Sequence, residues 1–257
     1  NNSIALVSDK NNTKIYTKSD RTDTNNRAHW IFEAVTCADP VIAFDETEGK
    51  VTLTSATTGA SIYYTVATGT TTPADPTATT GTPYTDGIAL TENVVTTVKA
   101  IAVKGYGKSQ VASIPIYYMP TFTLIGGPYT YDGTAKEPTV SGDVTIGTPS
   151  IAIAAADYVL EYKDNVNAGT AKVILREVKG KDKMIYGSQT FSIAVKPLDD
   201  ANGAIASGFS VVIDTNNGLV LHDGETELVA DVDYGVGEAC TSGQVTTRTV
   251  QGKGNYA

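Results

Sequence analysis

Apolar side chains recur at every second position through much of this chain, and that period limits what it can fold into. Tyr158, Leu160 and Tyr162 alternate with Val159, Glu161 and Lys163. Ala171, Val173 and Leu175 alternate with Lys172 and Arg176, and Phe191, Ile193 and Val195 alternate with Ser192 and Lys196. Phe122 and Leu124 point one way while Thr121 and Thr123 point the other. A period of two sends successive side chains to opposite faces of a strand. Four such strands with one polar face are what an antiparallel sandwich requires. No window carries a sustained 3.6-residue apolar period, and the alternating runs are bounded by Gly, Asn, Asp or Pro throughout. Charged residues make up only 18%, with Thr, Ser, Gly, Asn and Tyr in their place, a bias toward strands and turns. The expectation is an all-β protein of tandem sandwiches, since 257 residues suit two to three domains of about 80 residues each.

Four segments follow from a pass along the chain. Residues 1–37 hold two β-like runs, Ser3–Val7 and His29–Val35, separated by a polar stretch; Trp30, Phe32 and Ala34 share one face. This is too short for a domain and reads as the closing strands of one, or as a hairpin docked on its neighbour. Residues 38–119 contain strands at Val51–Thr54, Ile62–Val66, Val94–Val103 and Val111–Tyr118. Their Thr- and Pro-rich loop, Thr68 to Pro83, has little to pack and is expected to be mobile. Residues 120–197 hold the alternating strands above. Residues 198–257 read as a diverged, incomplete second copy: Asp233-Tyr234 aligns with Asp157-Tyr158, Ser242-Gly243 with Ala168-Gly169, and Gly252-Lys253-Gly254-Asn255-Tyr256 with Gly180 to Tyr186. In the third segment Tyr186 leads into a closing strand, Thr190 to Val195. The fourth is expected to leave that edge to residues beyond Ala257 or to a neighbouring copy.

Two resemblances refine this. Val51-Thr52-Leu53-Thr54, Ile62-Tyr63-Tyr64-Thr65, Thr71-Thr72-Pro73, Pro83-Tyr84-Thr85 and Val98-Lys99-Ala100-Ile101-Ala102 occur in the order seen in the small β-sandwich at the C-terminus of chitobiases and β-hexosaminidases, which residues 38–119 resemble. The resemblance implies a sandwich that sits beside a catalytic domain and is not itself the catalyst. One departure stands out: that family often has Asp-Gly after the tyrosine pair, where this chain has Val66-Ala67-Thr68-Gly69. Tyr129-Thr130-Tyr131-Asp132-Gly133, Asp157 to Tyr162, Asn165-Val166-Asn167-Ala168-Gly169 and Gly187 to Ile193 resemble bacterial Ig-like repeats of secreted and surface proteins, as in those of Bacteroidetes. This implies tandem Ig-like antiparallel β-sandwich domains over 120–257. Asp132-Gly133 and Asn167-Ala168-Gly169 supply the turn chemistry such strands need.

The inventory for chemistry is poor. The net charge is -9 with no basic stripe, which argues against nucleic acid as a partner. No run of about 18 apolar residues is present to span a membrane. The chain begins Asn1-Asn2-Ser3, as a mature form would after loss of an export signal. Its two cysteines, Cys37 and Cys240, read as small buried hydrophobes rather than a disulfide or metal set. The two histidines, His29 and His222, read as surface or turn residues. No Gly-x-Ser-x-Gly elbow, Walker loop or His-Glu-x-x-His occurs. Carboxylates cluster in turns, as at Asp45-Glu46, Asp132 and Asp199-Asp200, rather than as a glycosidase pair. Asp231 and Asp233 could ligate calcium on spacing alone, a weak signal. No catalytic residue, metal site or cofactor is therefore expected.

Aromatics are the better lead, because exposed rings offer sugars area at low entropic cost. Trp30, the single tryptophan, and Tyr64, Tyr84 and Tyr106 are the candidate ligand-binding residues; Tyr63 and Tyr64 face opposite sides of their strand, so at most one is core. The expectation is a non-catalytic, exported protein at the cell surface or outside the cell. Its Ig-like modules would serve as spacers or adhesion units for another surface protein or a glycan. The alternative is a carbohydrate-binding accessory protein of a glycan-utilisation system.

Overall fold

The computed structural model describes residues 13–18, 29–34, 36–200, 204–213, 218–242 and 245–256. The protein is all-β. A single three-residue 3-10 turn, Ala155–Asp157, is the only helical piece among the described residues. No helix there is long and apolar enough to cross a membrane. The chain divides into two compact units.

The first unit comprises Asn1–Thr121, Asp143–Val159 and Arg176–Gly187. Two sheets face each other in it. One has Lys50–Thr54 at its centre, flanked by Val41–Asp45 and Ile88–Ala89. The other is centred on Val94–Lys104, with Ser61–Thr68 on one side and Ala112–Tyr118 on the other, both antiparallel. Val51, Leu53 and Ile88 from the first sheet meet Val98, Ala100 and Ile116 from the second. Each fully buried side chain of this size stabilises the fold by about 1.5–3 kcal/mol. Val94–Lys104 hides residues of both parities, Val95 and Thr96, Ala100 and Ile101. Both faces of this strand are therefore covered along that stretch. A separate hairpin pairs Thr13–Lys18 with His29–Ala34.

The Thr68–Pro83 loop, expected to have little to pack, carries internal contacts. The Thr65 hydroxyl donates to the Ala74 carbonyl at 2.6 Å, and Gly81 N–H to the Thr77 carbonyl at 2.8 Å. Pro73 and Pro76 are buried, and Thr82–Pro83 pairs with Tyr63 and Tyr64. Threonine hydroxyls and proline rings supply packing that a reading of the segment as merely small and polar leaves out.

The second unit comprises Phe122–Gly142, Leu160–Leu175 and Ser188–Ala257. Strand Gly169–Glu177 lies between Tyr158–Lys163 and Met184–Ala194, and Tyr129–Thr130 runs parallel beside Ile193 and Ala194. Val173, Leu175 and Ile193 are inside, as their alternation predicts. Tyr158, Leu160 and Phe191 are only half-buried, and Ile174 is hidden on the opposite parity. The reason is position: Gly169–Glu177 is flanked on both sides, whereas Tyr158–Lys163 is an edge. Further on, Phe209–Ile213, Leu219–Asp223 and Thr226–Glu227 make a small sheet, and Tyr234–Val236 pairs with Val250–Gly252. Leu198, Leu221, Leu228, Tyr234 and Tyr256 form their core.

Candidate functional site

Four aromatic residues carry the binding expectation, and two of the three whose side chains are described meet. Trp30 stands opposite Thr17 on the strand His29–Ala34, and its side chain lies outside the described ones. Tyr64 and Tyr84 do meet, edge to face at 6.3 Å between ring centres. Both are half-buried against the core of the first unit. Tyr106 is 74% exposed, because the turn Lys104 to Gly107 lifts it off the sheet end. Gly105 takes a φ of +60°, which glycine adopts freely.

The carboxylates are engaged in turns and ion pairs. Asp45 accepts the amides of Thr47 and Glu48. Glu46 meets the Arg176 guanidinium with both oxygens, the second contact at 2.7 Å. The Lys136 ammonium and the Thr134 donors hold the Asp132 carboxyl well below the usual carboxylate range. Asp200 accepts the Ala204 amide. Asp231 pairs with Lys253, and Asp233 accepts the Val229 amide. Among the described residues no group of three His, Cys, Asp or Glu side chains is placed to hold a metal ion. Cys37 is buried but Cys240 is exposed, which corrects the expectation of two buried thiols; both are free. Cys240 lies on the short two-stranded ribbon Cys240–Ser242 and Val245–Thr247, which has no neighbouring strand to cover it. His222 sits within strand Leu219–Asp223, not in a turn, opposite Ser210. Its half-buried ring leaves Nδ1 without a partner. His29 lies on the first hairpin, its side chain outside the described ones.

Two aromatic arrangements were missed in the sequence. In the first unit Phe44, Tyr118 and Tyr186 cluster with ring centres 5.2–6.3 Å apart, and the Arg176 guanidinium lies 5.7 Å above Tyr186. In the second unit Tyr256 meets Tyr131 at 5.4 Å and Phe209 at 5.9 Å, with Lys196 5.0 Å above Phe209 and ion-paired to Asp223. The equivalence of Tyr186 and Tyr256 was legible in the alignment of Gly180–Tyr186 with Gly252–Tyr256. Its meaning was not, because the partner rings lie far away in the chain. The second unit also carries an open groove of about 430 Å³ lined by Leu124, Gly126, Tyr129, Gln189, Thr190 and Phe191 among others. Tyr129 and Phe191 meet there edge to face at 5.6 Å.

A backbone device recurs beside these clusters. Thr36 bridges in parallel to Lys108, Tyr118 to Tyr186, and Lys196 to Tyr256. At each, an amide just past a strand donates onward: Cys37 N–H to the Lys108 carbonyl at 3.2 Å, Met119 N–H to Tyr186 at 2.6 Å, and Lys196 N–H to Asn255 at 2.8 Å. Each acceptor segment follows a lysine- and glycine-bearing turn, at Lys104-Gly105, Lys179-Gly180 and Lys253-Gly254.

These features define an all-β protein of the sandwich class, with one aromatic cluster inside each compact unit. Residues 51–116, the heart of the first sandwich, match the family model described as Fn3 associated. No curated protein and no solved structure matches the chain.

Proposed function

We propose that this chain is a non-catalytic array of sandwich modules, exported to the cell surface or beyond, that spaces or presents a partner domain. The observation that carries this reading is the recurring parallel bridge, Thr36 to Lys108, Tyr118 to Tyr186 and Lys196 to Tyr256. Three bridges of one kind, each inside a compact unit, suit a chain of similar modules repeated in series. The likeness of residues 38–119 to the accessory sandwich of β-hexosaminidases, and of 120–257 to bacterial Ig-like repeats, supports the same role. So does the engagement of the carboxylates in turns and ion pairs.

The test is a glycan array with the intact chain, paired with a broad hydrolase screen. The spacer reading expects neither turnover that survives repurification nor micromolar binding to one defined glycan. Such binding, lost on a single aromatic change, sinks it. The second reading, a carbohydrate-binding accessory protein, draws on the exposed Tyr106 ring and the open Tyr129–Phe191 groove. Tyr64→Ala, Tyr84→Ala and Tyr106→Ala on the same array separate the two: on this reading Tyr106→Ala abolishes a signal that a spacer never gives.

A further inference from the structure

We propose that the groove of the second unit lined by Tyr129 and Phe191 binds an uncharged sugar ring, held by aromatic contact and by the backbone of Thr190. The lining comes from residues 122–138 and 189–192 and includes no charged side chain. Leu124, Tyr129 and Phe191 supply apolar area, while Thr123, Gln189 and Thr190 supply hydroxyls and an amide. At about 430 Å³ the groove falls within the roughly 300–1,000 Å³ range of small-molecule sites, which combine apolar walls with a few polar groups.

Its walls are fixed in place. Tyr129 folds back on two glycines: a Cβ on Gly126 would run into the Tyr129 hydroxyl, and one on Gly127 would stand 3.2 Å from the ring. Gln189 Nε2 donates to the Phe122 carbonyl, which holds the amide and leaves its own carbonyl oxygen without a partner among the described residues. The backbone adds a further pair of groups. Tyr131 N–H donates to the Ala194 carbonyl, so the even-numbered residues of strand Met184–Ala194 turn their N–H and C=O groups to that side. Tyr129–Thr130 covers only Ile193 and Ala194 there. Thr190 therefore presents a donor and an acceptor with no strand opposite them among the described residues.

These groups select the occupant. A pyranose has C–H faces that lie on aromatic rings and a rim of hydroxyls that both donate and accept. That rim matches the Thr190 backbone pair, the Gln189 carbonyl oxygen and the Thr123 hydroxyl. An acidic sugar would give up hydration of its carboxylate with no cation in the lining to replace it. A peptide strand running along this side meets Tyr129–Thr130 at Ile193, so the free stretch suits a compact ligand. The inference takes its ligand class from the carbohydrate-binding reading, but its site lies in the second unit, whereas Tyr106 belongs to the first. An open groove of this kind binds at millimolar rather than micromolar Kd, which leaves the spacer reading standing.

The probes are the methyl glycosides of glucose, galactose and mannose, and N-acetylglucosamine, each titrated into the isotope-labelled whole chain with amide shifts read by NMR. Saturable shifts are expected with at least one of them at the Thr190 N–H and the Gln189 side-chain amide, with a Kd on the order of 1 mM. Glucuronic acid should give none. Thr190→Asp, at an exposed position, puts a carboxylate into the groove and should weaken binding at least roughly tenfold with the melting of the chain unchanged. Thr123→Glu, also at an exposed position, should do the same and serves if the first variant melts early. Tyr106→Ala should leave the shifts as they are. Absence of saturable shifts with all four sugars overturns the proposal, as do shifts that spare Thr190 and Gln189 or survive both charge variants. Shifts lost with Tyr106→Ala, or glycan-array binding without shifts at the groove, end this site and leave the carbohydrate-binding reading in place. Shifts produced by tetra-alanine and by none of the sugars overturn it in favour of a peptide site.

Discussion

Tyr186 is where the first unit is most exposed to a single change. It is 8% exposed, with ring centres 5.2 Å from Phe44 and 6.3 Å from Tyr118, its plane nearly parallel to the latter's at 15°. Truncating a buried aromatic to alanine costs about 3–5 kcal/mol. Within that figure, each ring pair contributes about 0.5–1.5 kcal/mol, and the Arg176 guanidinium above the ring about 0.5–1 kcal/mol. Tyr186→Ala should therefore destabilise the unit by about 3–5 kcal/mol. The hydroxyl makes no hydrogen bond among the described residues, so Tyr186→Phe should stay within about 0.5 kcal/mol of the parent. Urea melts followed by far-UV circular dichroism give both numbers. Amide exchange at Met119, whose N–H donates to the Tyr186 carbonyl at 2.6 Å, localises the loss. Protection there should fall by roughly two to three and a half orders of magnitude, at 1.4 kcal/mol per tenfold. A folded Tyr186→Ala protein with Met119 protection unchanged would show that the ring cluster does not hold the bridge, and the argument for a strand-bonded junction fails with it.

Other substitutions test other parts of the fold. Leu175→Ala should cost about 2–5 kcal/mol and Leu160→Ala about half of that, since Leu175 is fully buried and Leu160 only half; equal costs in urea melts would show the faces misassigned. Burial raises the Tyr256 phenol well above its ordinary value of 10.0, and the folded state therefore favours the neutral form. That stability is fully present below pH 10 and is lost as the pH rises above it, by up to about 1.4 kcal/mol per pH unit. Tyr256→Phe should flatten this alkaline dependence, and an unchanged slope would refute it. Gly49 holds a φ of +64°, and a Cβ there would stand 2.7 Å from the Tyr118 hydroxyl. Gly49→Ala should cost more than about 1–2 kcal/mol, the price of a left-handed alanine alone, and Tyr118→Phe should recover the excess. Lys181 and Lys183 hold the Asp157 carboxyl below its ordinary range, so the support it gives is present near neutral pH and is lost as the pH falls through its lowered folded value. Asp157→Asn should leave a shallower acid limb in pH-dependent melts.

Much of the fold was legible because alternation is a local signal. Val51 and Leu53 declare a one-sided strand, and Val173 and Leu175 another, without knowledge of their partners. Depth of burial was less legible. Leu160 and Leu175 carry the same periodic signature, and only the sheet order makes one an edge residue and the other central. The candidate binding residues fared according to their surroundings. Tyr106 could be placed at the surface because Lys104-Gly105-Tyr106-Gly107-Lys108 is a turn by composition. Tyr64 could not be ruled core or surface, since its cover is Tyr84, contributed across a loop of many residues. The Glu46–Arg176 pair joins positions 130 residues apart, the ring clusters also join distant positions, and no periodicity reports contacts of such span.

The recurring bridges also bear on how such a chain can be cut. Alternation and turn chemistry divide it after 37, 119 and 197, and the bonded amides belong to Cys37, Met119 and Lys196. At each of these positions the amide is bonded to a segment that follows a turn, inside one compact unit. A flexible tether would show several unpaired, polar or glycine-rich residues at such points. A fragment begun at residue 120 would lose Tyr118 and Met119 together, leaving the Tyr186 carbonyl without its donor and its ring without a stacking partner. A fragment begun at residue 112 keeps the whole strand Ala112–Tyr118 but strips it of Val94–Lys104, exposing an edge that is covered in the intact chain. Both fragments should therefore be less stable than the same residues in place.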